Sequence, residues 1–245
     1  MKKVSADVRR TGDRMAICLA RLVNDGERVF HGVASALPMV AILCARKMHA
    51  PNLTYLNIPG GVDAVPSRMP AATTGMQLNE GASSNFNLTE IFDLSSRGGL
   101  DLAFLGGAQV DARGDINLSF IGDSSHPKVR LPGGAGSAAI LPTAKRTVLW
   151  RTVHDSRSFP NLCDFVTASG RVDRVVTPLC IFRKINGYLQ IESVHAGVTE
   201  DRVQNATGFK IRSSEKVSKT SEPSPQELMV LNFVDPDGVR FREFT

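Results

Sequence analysis

Residues 133–136 read Gly-Gly-Ala-Gly, placed between the extended run VRLP and the helix-compatible Ser137-Ala138-Ala139. Glycine lets a backbone approach a ligand closely and turn its amide donors inward, so a loop of this composition can cradle a phosphate or hold an oxyanion. The same composition also makes a plain tight connection, and the loop alone does not separate the two. Among side chains, Glu80 in QLNEGAS is the first candidate for a base, weighed against a solvated loop carboxylate. Asn57, Asn79 and Asn85 can orient a substrate carboxylate or carbonyl, or stabilise turns. Ser35 can cap a helix or face a ligand. His195, before Gly197, and Asp111, in DARGD, read as turn or core residues.

The elements that must carry these residues alternate between helix and strand. Met15, Cys18, Leu19, Leu22 and Val23 recur at helical spacing over residues 12–24, with Gly26 as a stop. A short strand over 27–30 leads to a helix from Pro38, a residue suited to a first turn because its missing donor costs nothing there. Residues 53–56 are extended. The segment 57–81, rich in Pro, Gly, Ala and Thr, has the character of a long binding or lid loop. Asn87 and Glu90 have capping-box spacing at the start of a helix that ends near Gly98-Gly99. Residues 100–105 read as a buried strand, 111–115 as a turn, and 116–121, 147–153 and 175–182 as further strands. Asn186-Gly187 before the alternating Tyr188 to Ile191 signals a hairpin. Thr199 caps a helix with Glu200 and Asp201 in its first turn, which Gly208 ends. Residues 212–222 read as a polar linker, and Ser224-Pro225 opens a last helix through Leu231. These spans divide into a main α/β domain, 1–211, and a linker with helical tail, 212–245.

The 245-residue chain, 42% hydrophobic, is long enough for one large domain. No apolar run approaches the roughly 20 residues of a membrane span, and MKKVSADVRR lacks the apolar core of a secretory signal. The expectation is a cytoplasmic protein without membrane attachment. Four cysteines are widely spaced with no CxxC pair, and five histidines show no HxxxH or HxH spacing; free thiols are expected, with no structural metal. A net charge of +5 with few aromatic residues excludes no soluble class but does not suggest nucleic-acid binding.

Five segments in order give a family resemblance: GVASALP (32–38), HAPNLTYL (49–56), GGAQVDARGDIN (106–117), RLPGGAG (130–136) and HAGVTEDRVQNATGF (195–209). The chain, from about residue 12 to residue 209, resembles the B subunit of class I coenzyme A transferases of the glutaconate CoA-transferase type. The resemblance implies a three-layer α/β sandwich with a mixed, mainly parallel sheet. It implies an A subunit as partner, in a heterodimer or heterotetramer, and an acyl-CoA ligand whose coenzyme A is part of the substrate; no cofactor is bound permanently. It places the amides of Gly133, Gly134, Ala135 and Gly136 beside the thioester, and Gly107 and Ser35 join them as candidate coenzyme A-binding residues. It also places Ile58 where the family carries a nucleophilic glutamate, and neither Asn57 nor Pro59 restores one. The chain therefore resembles the branch that decarboxylates or hydrolyses acyl-CoA, with Glu80 and Asn57 as the candidate catalytic residues. CoA transfer between acids and a non-catalytic CoA-binding role are the alternatives.

Overall fold

The computed structural model describes residues 4–212 and 217–244. Helix α1, Ala6–Ala20, begins six residues before the apolar periodicity does, because Ser5 caps it through Val8 N–H and its first turn lies in solvent. Its second half is buried on every face from Met15 to Ala20. Strand β1, Arg28–His31, feeds α2, Ala36–Met48, in which residues 36–45 are all buried; α2 is a core helix, apolar all round. Strand β2, Thr54–Leu56, is followed by β3, Gly61–Val62, a 3-10 turn at Met76–Asn79, and β4, Ser84–Asn85. The expected capping box forms: Asn87 Oδ1 accepts from Glu90 N–H and Glu90 accepts from Asn87 N–H, opening α3, Leu88–Ser96. Strand β5, Leu102–Gly106, closes this part of the chain.

β1 runs parallel to both neighbours, with Phe30 opposite Leu56 on β2 and opposite Ala103 on β5. β3 and β4 continue the sheet antiparallel beyond β2. Three parallel strands thus present their carboxyl ends at one edge, where the connections to the following helices and turns begin. In open α/β sheets that edge is where ligands bind.

Residues 105–221 form a second compact unit. It opens with two short hairpins, β6 (Gln109–Val110) with β7 (Ile116–Asn117) and β8 (Phe120–Gly122) with β9 (Pro127–Arg130). The predicted single strand over 116–121 is broken because Asn117 and Thr167 side chains take the amides of Ser119 and Leu118. After α4, Ser137–Thr143, come β10 (Arg146–Trp150), β11 (Val172–Val176), β12 (Cys180–Ile185) and β13 (Tyr188–Val194). β10 and β11 are parallel; β11, β12 and β13 are antiparallel. The predicted strand 175–182 is therefore two, divided at Thr177-Pro178, where the Thr177 hydroxyl accepts from the amides of Leu179 and Cys180. The hairpin at Asn186 and Gly187 is as read, both at positive φ. Thr199 caps α5, Glu200–Ala206, as expected. Within the expected linker, β14, Ser218–Lys219, pairs with β13, while residues 213–216 lie outside the described residues.

The chain then returns to its first unit, which comprises residues 1–104 and 222–245. Helix α6, Pro225–Val234, carries a capping box from Ser224, and a 3-10 turn spans Val239–Phe244. Both pack against α1 and α2, so the tail covers its own chain. Arg240, 1% exposed, anchors it through Asp13 at 2.6 Å, Asp235 at 2.9 Å and Asn232 at 2.8 Å. The mixed, mainly parallel sheet with flanking helices that the resemblance implied is the architecture observed.

Candidate active site

The first group of site residues lies at the carboxyl ends of β1 and β2. Asn57, wholly buried, ends β2 and holds the next turn from inside: its Nδ2 donates to Leu78 O at 2.6 Å and its Oδ1 accepts from Gly61 N–H at 2.9 Å. Gly60 stands at φ +97°, where an added Cβ would lie 2.1 Å from Phe86 O, so only glycine fits. Asp63, also at positive φ, accepts from Tyr55 N–H at 2.8 Å and closes the far side. The turn presents Ile58 half-exposed at its tip.

Below this turn, Tyr55 and His31 are fully buried on adjacent strands, with Tyr55 Oη 2.7 Å from His31 Nε2. His31 Nδ1 lies 2.9 Å from Gly32 O, an acceptor only, so Nδ1 carries the proton and Tyr55 donates to Nε2. Burial lowers the His31 pKa to about 4, partly opposed by the Gly32 carbonyl, which keeps the ring neutral. The connection after β1 is held tightly as well. Ala34 sits at φ +53° with its N–H on Thr73 Oγ1 at 3.0 Å. Ser35 is buried and makes no cap bond; its hydroxyl donates to Val33 O at 3.3 Å.

Glu80 is exposed, and its Oε2 accepts from both the amide and the hydroxyl of Ser67 at 2.8 Å. These two bonds lower its pKa, which makes it a weaker base than a free carboxylate and gives it the work of a loop staple. Asn79 differs from Asn57 in one respect: its Oδ1 is buried without a hydrogen-bond donor and lies 2.9 Å from where a Cβ on Gly61 would stand. An unused acceptor beside the Ile58 turn was not legible from the sequence, where Asn79 reads like any loop asparagine. Asn85 is exposed on β4, opposite Gly61.

The second group belongs to the other unit. Gly133 is at φ +93° and Ala135 at φ +43°, and Gly136 is the N-cap of α4. Gly133 N–H donates to Leu118 O at 2.7 Å and Ser137 N–H to Gly134 O at 2.8 Å. Among the described residues, no protein acceptor takes the amides of Gly134, Ala135 and Gly136, which leaves three consecutive donors for a ligand. Gly134 is also a packing glycine, since a Cβ there would come within 2.7 Å of Thr167 Cγ2. Gly107 is buried against Ile116, where a Cβ would meet that side chain at 3.0 Å; its contacts are those of close packing.

Asp111 and His195 take the turn and core roles read from the sequence. Asp111 Oδ1 accepts from Arg113 and Asp115 amides, and His195 Nε2 lies 2.8 Å from Thr177 O. The thiols of Cys18, Cys44, Cys163 and Cys180 are each pushed up to about 12, chiefly by burial, so none is a thiolate at neutral pH. Among the described residues no cluster of acids, cysteines and histidines could hold a metal ion, and no helix is long and apolar enough to cross a membrane.

Comparison with known proteins matches residues 13–206 to the model of the family described as Coenzyme A transferase. The chain is 32% identical to the B subunit of the 3-oxoadipate CoA-transferase of Pseudomonas knackmussii over 92% of this chain and 93% of that one. It is 26% identical to the cholesterol ring-cleaving hydrolase IpdB subunit of Rhodococcus jostii, with 93% of each covered. The crystal structure of the decarboxylase AibA/AibB superposes with a TM-score of 0.89 at 29% identity, covering 95% of this chain and 98% of that one.

Proposed function

The chain belongs to the coenzyme A transferase family, and from that premise we propose that it is the B subunit of a heteromeric enzyme that decarboxylates or hydrolyses an acyl-CoA thioester without forming a covalent enzyme thioester. The observation that carries this reading is the half-exposed Ile58 at the tip of the turn after β2. Exchange through a glutamyl thioester needs a carboxylate there, and the family resemblance assigns that place to residue 58. The neighbouring acids are engaged in the fold, Asp63 with Tyr55 N–H and Glu80 with Ser67.

The three amides at residues 134–136 are suited to hold an oxyanion on the thioester carbonyl, each such donor contributing about 2.7 to 4 kcal/mol. When carbon dioxide leaves, the electron pair of the broken bond passes into the thioester as an enolate, and these donors take its charge. Ile58 offers neither a nucleophile nor a base, which favours decarboxylation over hydrolysis. The likeness to the decarboxylase AibA/AibB supports the same choice. Hydrolysis requires a positioned water and a base, which the A subunit would contribute.

The 3-oxoadipate relative favours a second reading, true CoA transfer between carboxylic acids. Incubating the assembled enzyme with an acyl-CoA panel, reducing with borohydride and mapping the peptides by mass spectrometry separates the two. The expected result is substrate consumption with every carboxyl of this chain unmodified. A reduced glutamate or aspartate in this chain establishes transfer instead, and coenzyme A binding with no turnover of any member of the panel establishes a non-catalytic subunit.

A further inference from the structure

The start of α2 is capped by a residue from the other end of the chain. Glu243, at the end of the 3-10 turn, accepts from Ala36 N–H at 3.0 Å and from Leu37 N–H at 3.2 Å, one carboxyl oxygen to each. Ser35, the local residue placed to do this, makes no cap bond. Strands β1 and β2 run parallel with Phe30 opposite Leu56, so the connection after β1 and the turn that carries Ile58 leave the sheet at the same edge. The connection is fixed at each step, by Gly32 N–H on Phe104 O, by Thr73 on Ala34, and then by Glu243 on the next two amides. Ala34 holds a left-handed φ of +53°, a conformation that persists only where its surroundings over-determine it.

We propose that Glu243 is a positioning residue, a clasp that holds the turn 32–35 at the sheet edge from which the Ile58 turn also leaves, for the bound acyl-CoA. The proposal rests on the functional reading above for its ligand, but the clasp itself is a property of this chain. A serine cap could take only the Leu37 amide, because Pro38 has no N–H and a cap hydroxyl does not reach Ala36; Glu243 takes both. Burial raises the Glu243 carboxyl to about 7 against the pull of its two amide bonds, so the clasp is kept at the cost of burying an acid.

The test uses Glu243→Ala, the isosteric Glu243→Gln, and Glu227→Gln as a control, each in the assembled enzyme. Glu227, on the same tail, pairs with Arg21 at the end of α1 but touches neither α2 amide. Hydrogen exchange by mass spectrometry on peptides covering residues 33–40 should be about tenfold faster in Glu243→Ala, with kcat reduced about tenfold and KM for acyl-CoA within about twofold of wild type. Glu243→Gln, which keeps one acceptor oxygen, should fall between. Glu227→Gln should lower the melting temperature and leave both readouts unchanged. Should Glu243→Ala fail to assemble, Glu243→Gln decides by the same two measurements. Unchanged exchange in the Glu243 variants, or faster exchange with unaltered kcat, overturns the proposal. If the wild-type enzyme turns over no acyl-CoA, the functional reading is what fails, and the clasp stands or falls on exchange alone.

Discussion

Replacing Asn57 by alanine tests whether the turn that presents Ile58 is held from within. The side chain is wholly buried and serves one donor and one acceptor, Gly61 N–H at 2.9 Å and Leu78 O at 2.6 Å. Alanine leaves both without a partner in a place water does not reach. Each orphaned group costs about 1–3 kcal/mol, so the sum is about 4 kcal/mol. For a domain of this size the melting temperature falls about 2–4 °C per kcal/mol, which gives a drop of about 8–16 °C. Asn57→Asp sharpens the test, because it keeps the acceptor for Gly61 but turns a carboxylate oxygen toward Leu78 O. The carboxyl then has a raised native pKa, and the native state holds a proton that the unfolded chain has lost. Its stability is present below the unfolded value, about 3.9, and is lost as pH rises through the raised native one. Calorimetric melts should therefore find Asn57→Asp closer to wild type at pH 5 than at pH 8. A drop under about 2 °C for Asn57→Ala, or a pH-independent deficit for Asn57→Asp, would refute this account of the turn.

Gly133→Ala tests the glycine loop: nothing lies within 4 Å of an added Cβ, so the cost is conformational, about 1–2 kcal/mol at its φ of +93°. Melting should change by a few degrees at most while turnover falls at least tenfold, as relaxation re-aims the three amides; equal losses in both would show that the loop is only structural. His31 and His154 are both held near pKa 4 by burial, so the unfolded chain takes up protons between pH 6.5 and 4 that the native chain refuses. Stability should be full above pH 6.5 and fall on acidification through that window, and His154→Gln should flatten part of the slope in melts across the series.

Much of the fold was legible in the sequence because its signals are local. The capping box at Asn87, the helix start at Ser224-Pro225, the Asn186-Gly187 hairpin and the buried runs of α1 and α2 each depend on residues a few positions apart. What failed was tertiary. The break at Thr177-Pro178 looked like continuous strand because Val175, Val176, Leu179 and Cys180 are all apolar, and the hydroxyl that turns the chain is a single atom. β14 hid in a polar run because its ladder partner, β13, lies more than twenty residues away. For the candidate site, the glycine loop and residue 58 could be singled out in the sequence, but not how Asn57 holds the turn, because its partner Leu78 is twenty-one residues distant. Glu243 gave no signal at all, since only the returning tail brings it to Ala36.

That return has a consequence for how the protein is made. The contacts that complete the first unit join residues separated by more than two hundred positions, among them Arg14 with Glu222 and Asp13 with Arg240. Ribosome-bound nascent chain must therefore leave α1 and α2 without their cover until the final helix emerges, and loop closure across that span slows the last step. Losing the segment around residue 240 would uncover the apolar surface of α1 and α2 on which it packs.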